Sequence, residues 1–347
     1  MITVNHISPI HYPYVQAAKN YLENADCNVK DHFVFMKDSC SPLVISWDCH
    51  IDTVTSFTIE YATDPDFSDA THITADADCR QIELYNLFKS TKYFVRITAY
   101  SDGEPIGEAG SHFSTASLGP RVMRIDGIYN VRDLGGYDTI DGNVTIQGIL
   151  YRGGSLTPAD IYDSCLTESG KKYMSEEMKI KTEIDLRSPS EAGELSESVI
   201  PRASLVYIPL GGYSDAFSDS ASGKAAYRKL FSALASKDNY PIYYHCTGGA
   251  DRTGTVSFLL GALLGVNEDT LIKDYEFTSF SVYHMRNVKE GDYAEFFKKF
   301  RSALESFDGD TLQKKVENYL LSIGVTEAEI YNIRAIMLDN SAKDFVS

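Results

Sequence analysis

The amino-acid sequence predicts two domains, an N-terminal antiparallel β-sandwich and a C-terminal α/β domain whose mainly parallel sheet is flanked by helices. The chain has 347 residues, and a domain usually holds about 100–200 residues, so two domains are expected. Short β-type runs fill residues 1–115, whereas strands alternate with helical stretches in residues 121–347. Small residues followed by Pro120 separate the two regions, as is typical of a linker. The predicted domains are therefore residues 1–116 and 120–347.

The N-terminal region contains short runs of β-branched and aromatic residues, separated by turn residues such as Thr63–Asp66 and Ser101–Gly103. Strands spaced by roughly 8–12 residues are typical of a sandwich. The single tryptophan, Trp47, fits an early core strand. Upstream, we expect a short helix at Tyr14–Glu23 and a first strand at Phe33–Met36. The other predicted strands are Pro42–Trp47, Ser56–Ala62, His72–Thr74, Arg80–Leu84, Tyr93–Tyr100 and Ser111–Thr115.

The C-terminal region alternates apolar strand candidates with helical stretches, which predicts a sheet covered on both faces. The predicted strands are Lys181–Leu186, Leu205–Pro209 and Pro241–His245. The predicted helices are Pro158–Ser164, Gly170–Glu177, Ala225–Ser236, Thr253–Leu264, Glu268–Phe280, Tyr293–Phe307, Thr311–Ser322 and Thr326–Leu338.

The composition excludes several classes of partner. The formal net charge is −17, so no basic face is expected for nucleic acid or an anionic membrane. No apolar run reaches about 18 residues, so no membrane span is predicted. The six cysteines form no C-x-x-C pair, and neither a metal nor a cofactor is expected.

The predicted location follows from the cysteine chemistry and from the N-terminus. A nucleophilic thiol works best in a reducing compartment, and Met1–Tyr21 lacks the basic and apolar regions of a signal peptide. The sequence therefore predicts the cytoplasm. A leader trimmed before residue 1 would instead make the protein secreted or surface-attached.

The phosphate loop, Cys246–Arg252, has the residues of a nucleophilic phosphate site. Cys246 follows a strand directly, and Gly248 and Gly249 let the backbone curl so that its N–H groups point inward. The following helix N-terminus and Arg252 favour negative charge, which suits a thiolate nucleophile. Arg252 offers a planar fork to two phosphate oxygens, and Thr253 can donate its hydroxyl to the departing sulfur. The predicted phosphate-binding residues are Thr247, Gly248, Gly249, Ala250, Asp251 and Arg252.

If the loop cleaves a phosphate monoester, the leaving oxygen needs a proton. A carboxylic acid is therefore expected near this loop. Three aspartates are candidates. Asp251 lies within the loop, Asp185 ends a strand at the edge where α/β sheets place their sites, and Asp133 precedes two glycines. Asp251 is the first choice, and the other two stay open. His245 is expected to hold the loop by hydrogen bonds rather than act as a base. The residues expected to brace the site are Arg132, Arg152 and Arg187.

Gly211–Gly223 is rich in Gly, Ser and Asp. It is interpreted either as a lid that excludes water from the site or as a surface loop. Its large side chains, Tyr213 and Phe217, are the ones that could contact an aromatic substrate.

Four blocks carry a resemblance to a known family. His245–Gly254 resembles the signature His-Cys-x-x-Gly-Lys-Asp-Arg-Thr-Gly of bacterial LipA-like tyrosine phosphatases. Asn130–Tyr137, Tyr151–Leu156, and Ile184–Ser188 followed by Glu191 look like other blocks of that family in the same order. The resemblance covers about residues 121–340. It implies a phosphatase that acts on phosphotyrosine and, in some members, on phosphoinositides.

Ala250 departs from the pattern of that family, which usually has a lysine there. That lysine is associated with binding the extra phosphates of phosphoinositides. Ala250 and the net charge of −17 favour a simpler monoester such as phosphotyrosine, unless Lys224 or Arg228 approaches the pocket. Two alternatives stay open: an inositol phosphate or phosphoinositide phosphatase, and a phosphate-binding module without turnover.

Residues 38–116 resemble a fibronectin type III domain, mainly through their strand spacing. Tyr93 opens a strand shortly after Leu87, which is the placement of a tyrosine corner. We expect this domain to act as a spacer or docking module, with a protein or glycan partner as the alternative.

Overall fold

The structure is a computed structural model that describes residues 1–5, 7–37, 39–158, 164–194 and 196–339. It contains two compact units, between which the chain alternates. One unit is built from Met1–Val15 and Cys40–Leu118, and the other from Gln16–Ser39 and Gly119–Ser347. The sequence predicted a single boundary between residues 116 and 120, so the difference lies in residues 16–39.

Helix α1 (Gln16–Glu23) explains this difference. Its Tyr21 and Leu22 are each 2% exposed, and the Tyr21 hydroxyl donates a hydrogen bond to Glu276 of the second unit. A short helix is stable only against a surface that buries its apolar face, and here the second unit supplies that surface. The predicted strand at Phe33–Met36 is wrong, because this stretch has no strand partner in the structure.

The first unit is rich in β-structure and forms two sheets. Its strands are β1 (Ile2–Val4), β2 (Ile10–His11), β3 (Leu43–Cys49), β4 (Ser56–Ala62), β5 (Thr71–Asp76), β6 (Gln81–Leu84), β7 (Lys92–Ser101) and β8 (Glu104–Thr115). One sheet has the order β1-β3-β6 and the other β2-β8-β7-β4-β5. Neighbouring strands are antiparallel except β2 and β8, which are parallel. Each predicted run from residue 42 to residue 115 overlaps one of these strands.

Side chains from both sheets share one hydrophobic cluster. Trp47 and Phe57 are fully buried in this cluster, with ring centroids 5.3 Å apart. Tyr93 belongs to the same cluster, and its hydroxyl oxygen accepts a hydrogen bond from the N–H of Phe88 at 2.9 Å. The strands were predictable because residues alternate between this core and the opposite face of each sheet.

The second unit contains α1 and a set of strands and helices that follow residue 119. The strands are β9 (Arg121–Val122), β10 (Arg132–Asp133), β11 (Val144–Thr145), β12 (Leu150–Gly153), β13 (Thr182–Asp185), β14 (Ser204–Tyr207), β15 (Ile242–His245) and β16 (Leu338–Asp339). The helices are α2 (Glu168–Lys172), α3 (Pro189–Ala192), α4 (Ala221–Leu234), α5 (Asp251–Leu263), α6 (Glu268–Glu276), α7 (Asp292–Glu305), α8 (Leu312–Ser322) and α9 (Glu327–Met337). Short 3-10 segments lie at Val29–Asp31, Tyr213–Phe217, Lys237–Asn239 and Phe277–Phe280, and a π-helical turn lies at Tyr173–Glu177.

The main sheet has the order β14-β13-β15-β12-β10-β9 and is mixed. The first four strands are parallel, and β10 and β9 extend the sheet antiparallel. This edge was not predicted, because strands of two residues show no periodicity. On β15, Ile242 and Tyr244 pack into one hydrophobic cluster and Tyr243 into another, so both faces of the sheet are covered.

The predicted helices overlap observed helical segments, except Pro158–Ser164, which lies largely outside the described residues. Within the described part of the chain, no helix combines the length and apolar character needed to span a membrane.

Candidate active site

Cys246 lies at the carboxyl end of β15, the strand between β13 and β12 in the parallel part of the sheet. Helix α5 begins at Asp251, so the phosphate loop runs from a strand end into a helix N-terminus. Open α/β sheets bind ligands at this edge, and a helix N-terminus attracts anions. Cys246 is 3% exposed, which places the thiol at the floor of the loop.

Two carbonyl groups of the loop are held from outside it. Asn130 Nδ2 donates to the carbonyl oxygen of Gly248 at 2.9 Å, and Arg152 Nη2 donates to that of Gly249 at 2.7 Å. Across a trans peptide, the C=O and the following N–H point in opposite directions. The anchored carbonyls therefore turn the N–H groups of Gly249 and Ala250 away from the anchors and into the loop, as an anion nest requires.

Gly249 must be a glycine at this position. Its φ of +64° lies in the left-handed region, and a Cβ would stand 2.3 Å from the carbonyl oxygen of Gly153. Gly248 is also close to its surroundings, because a Cβ there would lie 3.0 Å from the ring of Tyr283. The two glycines therefore let the loop approach the end of β12 and the Tyr283 ring.

Asp274 on α6 links the arginines that brace the loop. It accepts hydrogen bonds from Arg132 Nε at 3.1 Å, from Arg152 Nη1 at 2.6 Å and from the Tyr137 hydroxyl at 3.0 Å. Burial acts to raise the pKa of Asp274, but the two arginines outweigh it and lower this pKa below its ordinary value. Burial and the charge of Arg152 lower the pKa of Arg132 to about 10. Because these groups are buried, loss of one would leave uncompensated charge beneath the loop.

Arg252, in the first turn of α5, forms a bidentate ion pair with Glu191. The Nη1–Oε2 and Nη2–Oε1 distances are both 2.6 Å, and the Thr247 hydroxyl donates to Oε1 at 2.7 Å. The hydrogen bonds from Arg252 lower the pKa of Glu191 far below its usual range, although burial opposes this. Burial acts to lower the pKa of Arg252, but Glu191 and Cys246 raise it above its ordinary value. The guanidinium fork is thus a permanent cation with a fixed orientation.

Asp185 lies beneath the loop and is fully buried. It accepts hydrogen bonds from the backbone N–H of Arg187 at 2.9 Å and from its Nη2 at 2.7 Å. Burial acts to raise the pKa of Asp185, but His245 and Arg187 lower it overall. An ionised carboxylate without solvent exposure suits the orientation of Arg187, which in turn donates to Ser155 Oγ at 2.9 Å. This geometry argues against Asp185 as the general acid.

His245 connects two carboxylates under the sheet edge. Its Nε2 lies 3.0 Å from Glu183 Oε1, and its Nδ1 lies 3.9 Å from Asp185 Oδ1 and 3.2 Å from the carbonyl oxygen of Cys246. Glu183, Asp185 and His245 each offer one atom that could bind a metal ion, and these three atoms lie within 4.8 Å of one another. The positive charge of Arg187, which is paired with Asp185, would repel a metal ion at this position. Glu183, Asp185 and His245 therefore fit a hydrogen-bond network that holds the loop.

Asp133 is also fully buried. It accepts hydrogen bonds from Arg121 Nη1 at 2.6 Å and from the N–H groups of Gly135 at 2.8 Å and Gly148 at 2.7 Å. These bonds close the turn that follows β10, and they argue against Asp133 as an acid for a substrate.

Asp251 is the candidate acid with an accessible side chain, which is 36% exposed. The Tyr213 hydroxyl donates to its Oδ1 at 2.5 Å, and Arg286 contacts both oxygens, at 2.7 and 3.0 Å. The Arg286 guanidinium also lies 3.9 Å from the ring centroid of Tyr293. Asp251 therefore stands at the first turn of α5 with its position fixed from two sides.

Thr253 places a hydroxyl inside the first turn of α5. The residue is fully buried, and its Oγ1 has no hydrogen-bond partner among the described residues. A buried hydroxyl normally has a partner, so this group is available to a bound ligand or to the Cys246 sulfur.

The cations proposed to compensate for Ala250 point elsewhere. Ala250 is 1% exposed and offers only a buried methyl group. Lys224 Nζ donates to Asp219 at 2.8 Å, and Arg228 Nε donates to the carbonyl oxygen of Gly324 at 2.7 Å.

The predicted lid segment is largely ordered into the 3-10 helix Tyr213–Phe217 and the start of α4. Tyr213 reaches the site through Asp251, as described above. Phe217 packs against Tyr319 and Phe300, with ring centroids 4.8 and 5.6 Å away. Phe217 is thus partly buried against the hydrophobic core, which argues against a contact with substrate.

Sequence reasoning missed several residues of the site. Glu191 and Asn130 lay within the motifs, where a carboxylate or amide next to glycines and arginines could have indicated their role. Asp274 and Arg286 had no local signal, because only the fold brings them to the loop. Tyr213 was expected as a substrate contact, and its hydrogen bond to Asp251 was not foreseen.

Comparisons with known proteins identify a family and similar proteins. The model of the tyrosine phosphatase family matches residues 123–339. A Cupriavidus necator protein that its name assigns to the tyrosine-protein phosphatases is 28% identical over 179 residues, which are 45% of this chain. The match covers 63% of that relative, so the chain spans less than two thirds of its length.

Two solved structures also show similarity. The core catalytic domain of a PP-IP phosphatase from S. cerevisiae aligns with a TM-score of 0.30 and 15% identity, over 47% of this chain and 91% of that one. The fn3 domain of human contactin 1 aligns with a TM-score of 0.19 and 20% identity, over 24% of this chain and 72% of that one. Since the family model covers more than half of the residues, the chain belongs to the tyrosine phosphatase family.

Proposed function

We propose that the protein is a cysteine-dependent phosphate monoester hydrolase, and most simply a protein-tyrosine phosphatase. The arrangement of the phosphate loop carries this proposal. Buried Cys246 lies under inward-facing N–H groups, and Arg252 is oriented by Glu191. Donors placed in this way stabilise the equatorial oxygens of a phosphoryl group more in the transition state than in the ground state.

The reaction has two steps. The Cys246 thiolate attacks phosphorus, the bond from phosphorus to the leaving oxygen breaks, and Asp251 transfers a proton to that oxygen. Water then attacks the phosphocysteine, Asp251 takes a proton from the water, and the S–P bond breaks to release inorganic phosphate. The Thr253 hydroxyl donates a hydrogen bond to the returning thiolate. Asp251 exchanges its proton with solvent, because a third of its side chain is accessible.

The substrate is proposed to be a phosphotyrosine protein or a small phosphate monoester. Ala250 offers no cation, and Lys224 and Arg228 are engaged with other groups. A substrate with several phosphates would need further positive charge near the loop. These contacts favour a monoester over an inositol phosphate or phosphoinositide.

The test is hydrolysis of para-nitrophenyl phosphate and of a phosphotyrosine peptide, with EDTA present. Wild type is compared with Cys246→Ser and with the control Cys165→Ser, which changes an exposed cysteine. We expect metal-independent turnover that Cys246→Ser abolishes and Cys165→Ser retains. Turnover that survives Cys246→Ser would refute the mechanism, and no turnover by folded wild type would favour a phosphate-binding module. Preference for inositol phosphates over the peptide would favour the other phosphatase class.

For the first unit, we propose a fibronectin type III-like fold that serves as a spacer or docking module. Two sheets over one core, the buried Trp47 and the hydrogen bond from Phe88 to Tyr93 support this fold. Deleting residues 1–15 and replacing residues 40–118 with a flexible linker tests the role, because the variant removes the whole first unit and keeps residues 16–39. Unchanged turnover on peptide and protein substrates would support a spacer. Loss on protein substrates alone would support docking of a protein partner, and a glycan screen addresses the alternative.

We further propose that the second unit belongs to the LipA-like group and acts in a reducing compartment. The four sequence blocks support the group, and the proposed thiolate nucleophile at Cys246 supports the compartment. A measurable loss of activity under oxidising conditions, reversed by a thiol reductant, is the expected result.

A further inference from the structure

Residues 33–37, which follow α1 in the second unit, expose two neighbouring apolar side chains. Val34 is 53% exposed and Phe35 is 58% exposed. Adjacent exposed apolar groups often mark an interaction site. Neither residue has a part in the chemistry described above.

Phe35 is connected to the phosphate loop through His284 and its neighbour Tyr283. Its ring packs against the imidazole of His284, with centroids 6.1 Å apart. His284 follows Tyr283, whose ring lies over Gly248. The φ of His284 is +66°, a conformation that non-glycine residues adopt rarely and often at functional sites.

Lys37 is connected to the same loop residue through Tyr129 and its neighbour Asn130. Its Nζ lies 5.8 Å from the ring centroid of Tyr129. Tyr129 precedes Asn130, which donates to the carbonyl oxygen of Gly248. Phe35 and Lys37 are therefore each connected to Gly248 through a contacting residue and its chain neighbour.

We propose that this rim, formed by Val34, Phe35, Lys37, Tyr129 and His284, binds the flanking residues of a phosphotyrosine peptide. The inference rests on the proposed function. Each residue of an extended peptide advances about 3.3 Å, so the residues that flank phosphotyrosine extend from the loop over the groups around it. Phe35 supplies apolar contact there. Lys37 supplies positive charge on a chain with a net charge of −17, so the favoured flank carries an apolar residue and an acidic residue.

The test uses the full chain and two phosphotyrosine peptides. In the first peptide, leucine lies two residues from phosphotyrosine and glutamate three residues from it, on both sides. The second peptide has alanine at these four positions. Hydrolysis of para-nitrophenyl phosphate, which has no flank, is measured beside them. The variants are Phe35→Ala and Lys37→Glu, with Tyr331→Ala as the control for an exposed aromatic residue on α9.

We expect wild type and Tyr331→Ala to prefer the leucine–glutamate peptide by about two- to tenfold in kcat/KM. Phe35→Ala and Lys37→Glu should each reduce that preference and leave para-nitrophenyl phosphate turnover within about twofold of wild type, which also shows that they fold. The proposal would be overturned if wild type showed no preference between the two peptides, or if Phe35→Ala and Lys37→Glu kept the wild-type preference. Absence of para-nitrophenyl phosphate turnover in wild type would instead overturn the proposed function.

Discussion

Glu191→Gln probes how Arg252 is oriented. The Glu191 carboxylate accepts two hydrogen bonds from Arg252, one from Thr247 and two from Ser188. Glutamine has the same shape but only one acceptor oxygen. Its amide nitrogen would face a donor of the guanidinium, so at least one charge-assisted bond would be lost and the fork would be free to turn.

The magnitude follows from the geometry of the pair. A hydrogen bond to a charged group contributes about 1.5–3 kcal/mol. Glu191 is 35% exposed and Arg252 19%, so solvent screening reduces the expected loss to about 1–1.4 kcal/mol. That loss corresponds to a decrease of about five- to tenfold in kcat/KM. The depressed pKa of Glu191 keeps its carboxylate ionised from neutral pH down through the ordinary range of a glutamate. The ion pair is lost only as the pH falls through that depressed pKa, so the effect should be constant across neutral assay pH.

The assay compares kcat/KM and inhibition by inorganic phosphate for wild type, Glu191→Gln and the control Glu194→Gln. The control makes the same charge change at a nearby exposed residue. We expect lower kcat/KM and weaker phosphate inhibition for Glu191→Gln alone. Tighter phosphate binding would refute this reasoning, because it would mean that Glu191 competes with the substrate for Arg252.

Three further predictions concern the acid and the stability of the second unit. Asp251→Asn should lower kcat/KM, which reports the step that expels the leaving group, about 100-fold for phenyl phosphate but much less for para-nitrophenyl phosphate, whose leaving group needs less protonation; equal losses in kcat/KM would exclude Asp251 as the acid. Tyr21→Phe should destabilise the protein by about 1–3 kcal/mol, measured by urea unfolding, because it leaves Glu276 with one donor fewer. Burial raises the pKa of Glu276 and the Tyr21 hydroxyl opposes this rise. The penalty should therefore be larger at about pH 8 than at about pH 5, where the folded state gains stability from the protonated carboxyl; a Tyr331→Phe control should show no such trend. A chain that starts at Gly119 lacks α1 and should melt well below the full chain in calorimetry; an equal melting temperature would contradict the assignment of residues 16–39.

The phosphate loop could be predicted from sequence because its parts are contiguous. A buried strand, two glycines and a helix N-terminus follow one another from Ile242 to Thr253, so local rules for strands, turns and helices apply directly. Gly249 is an example, since its positive φ is a property of the local backbone. The arginines of the motifs were also expected to brace the loop, and Arg152 contacts Gly249.

The sequence favoured Asp251 as the general acid but could not exclude Asp185 and Asp133, because burial and pairing distinguish these side chains. Asp185, Asp133 and Asp251 are equivalent side chains until their neighbours are known. Arg187 and Arg121 enclose the first two, whereas Asp251 faces a guanidinium from a residue 35 positions away. Pairings of this kind depend on tertiary contacts, which no local pattern encodes.

The predicted boundary of the second unit differs from the observed one for a related reason. Chain order suggested that residues 16–39 belong with the strands on either side of them. Burial of Tyr21 and Leu22, and the hydrogen bond from Asn287 to Asn28 at 2.7 Å, instead join this segment to the end of α6 and the residues that follow it.

The contact between α1 and the residues around Glu276 has a consequence for synthesis on the ribosome. Tyr21 and Glu276 are 255 residues apart in sequence, and translation adds about 5–20 residues per second. The apolar face of α1 therefore emerges roughly 13–50 s before its partner surface exists. All strands of the first unit can pair during this interval, since the last of them ends at Thr115. The nascent chain thus carries strands that can already fold, together with a segment, residues 16–23, whose apolar side chains are unprotected, and this state favours chaperone binding until residue 276 and its neighbours are made.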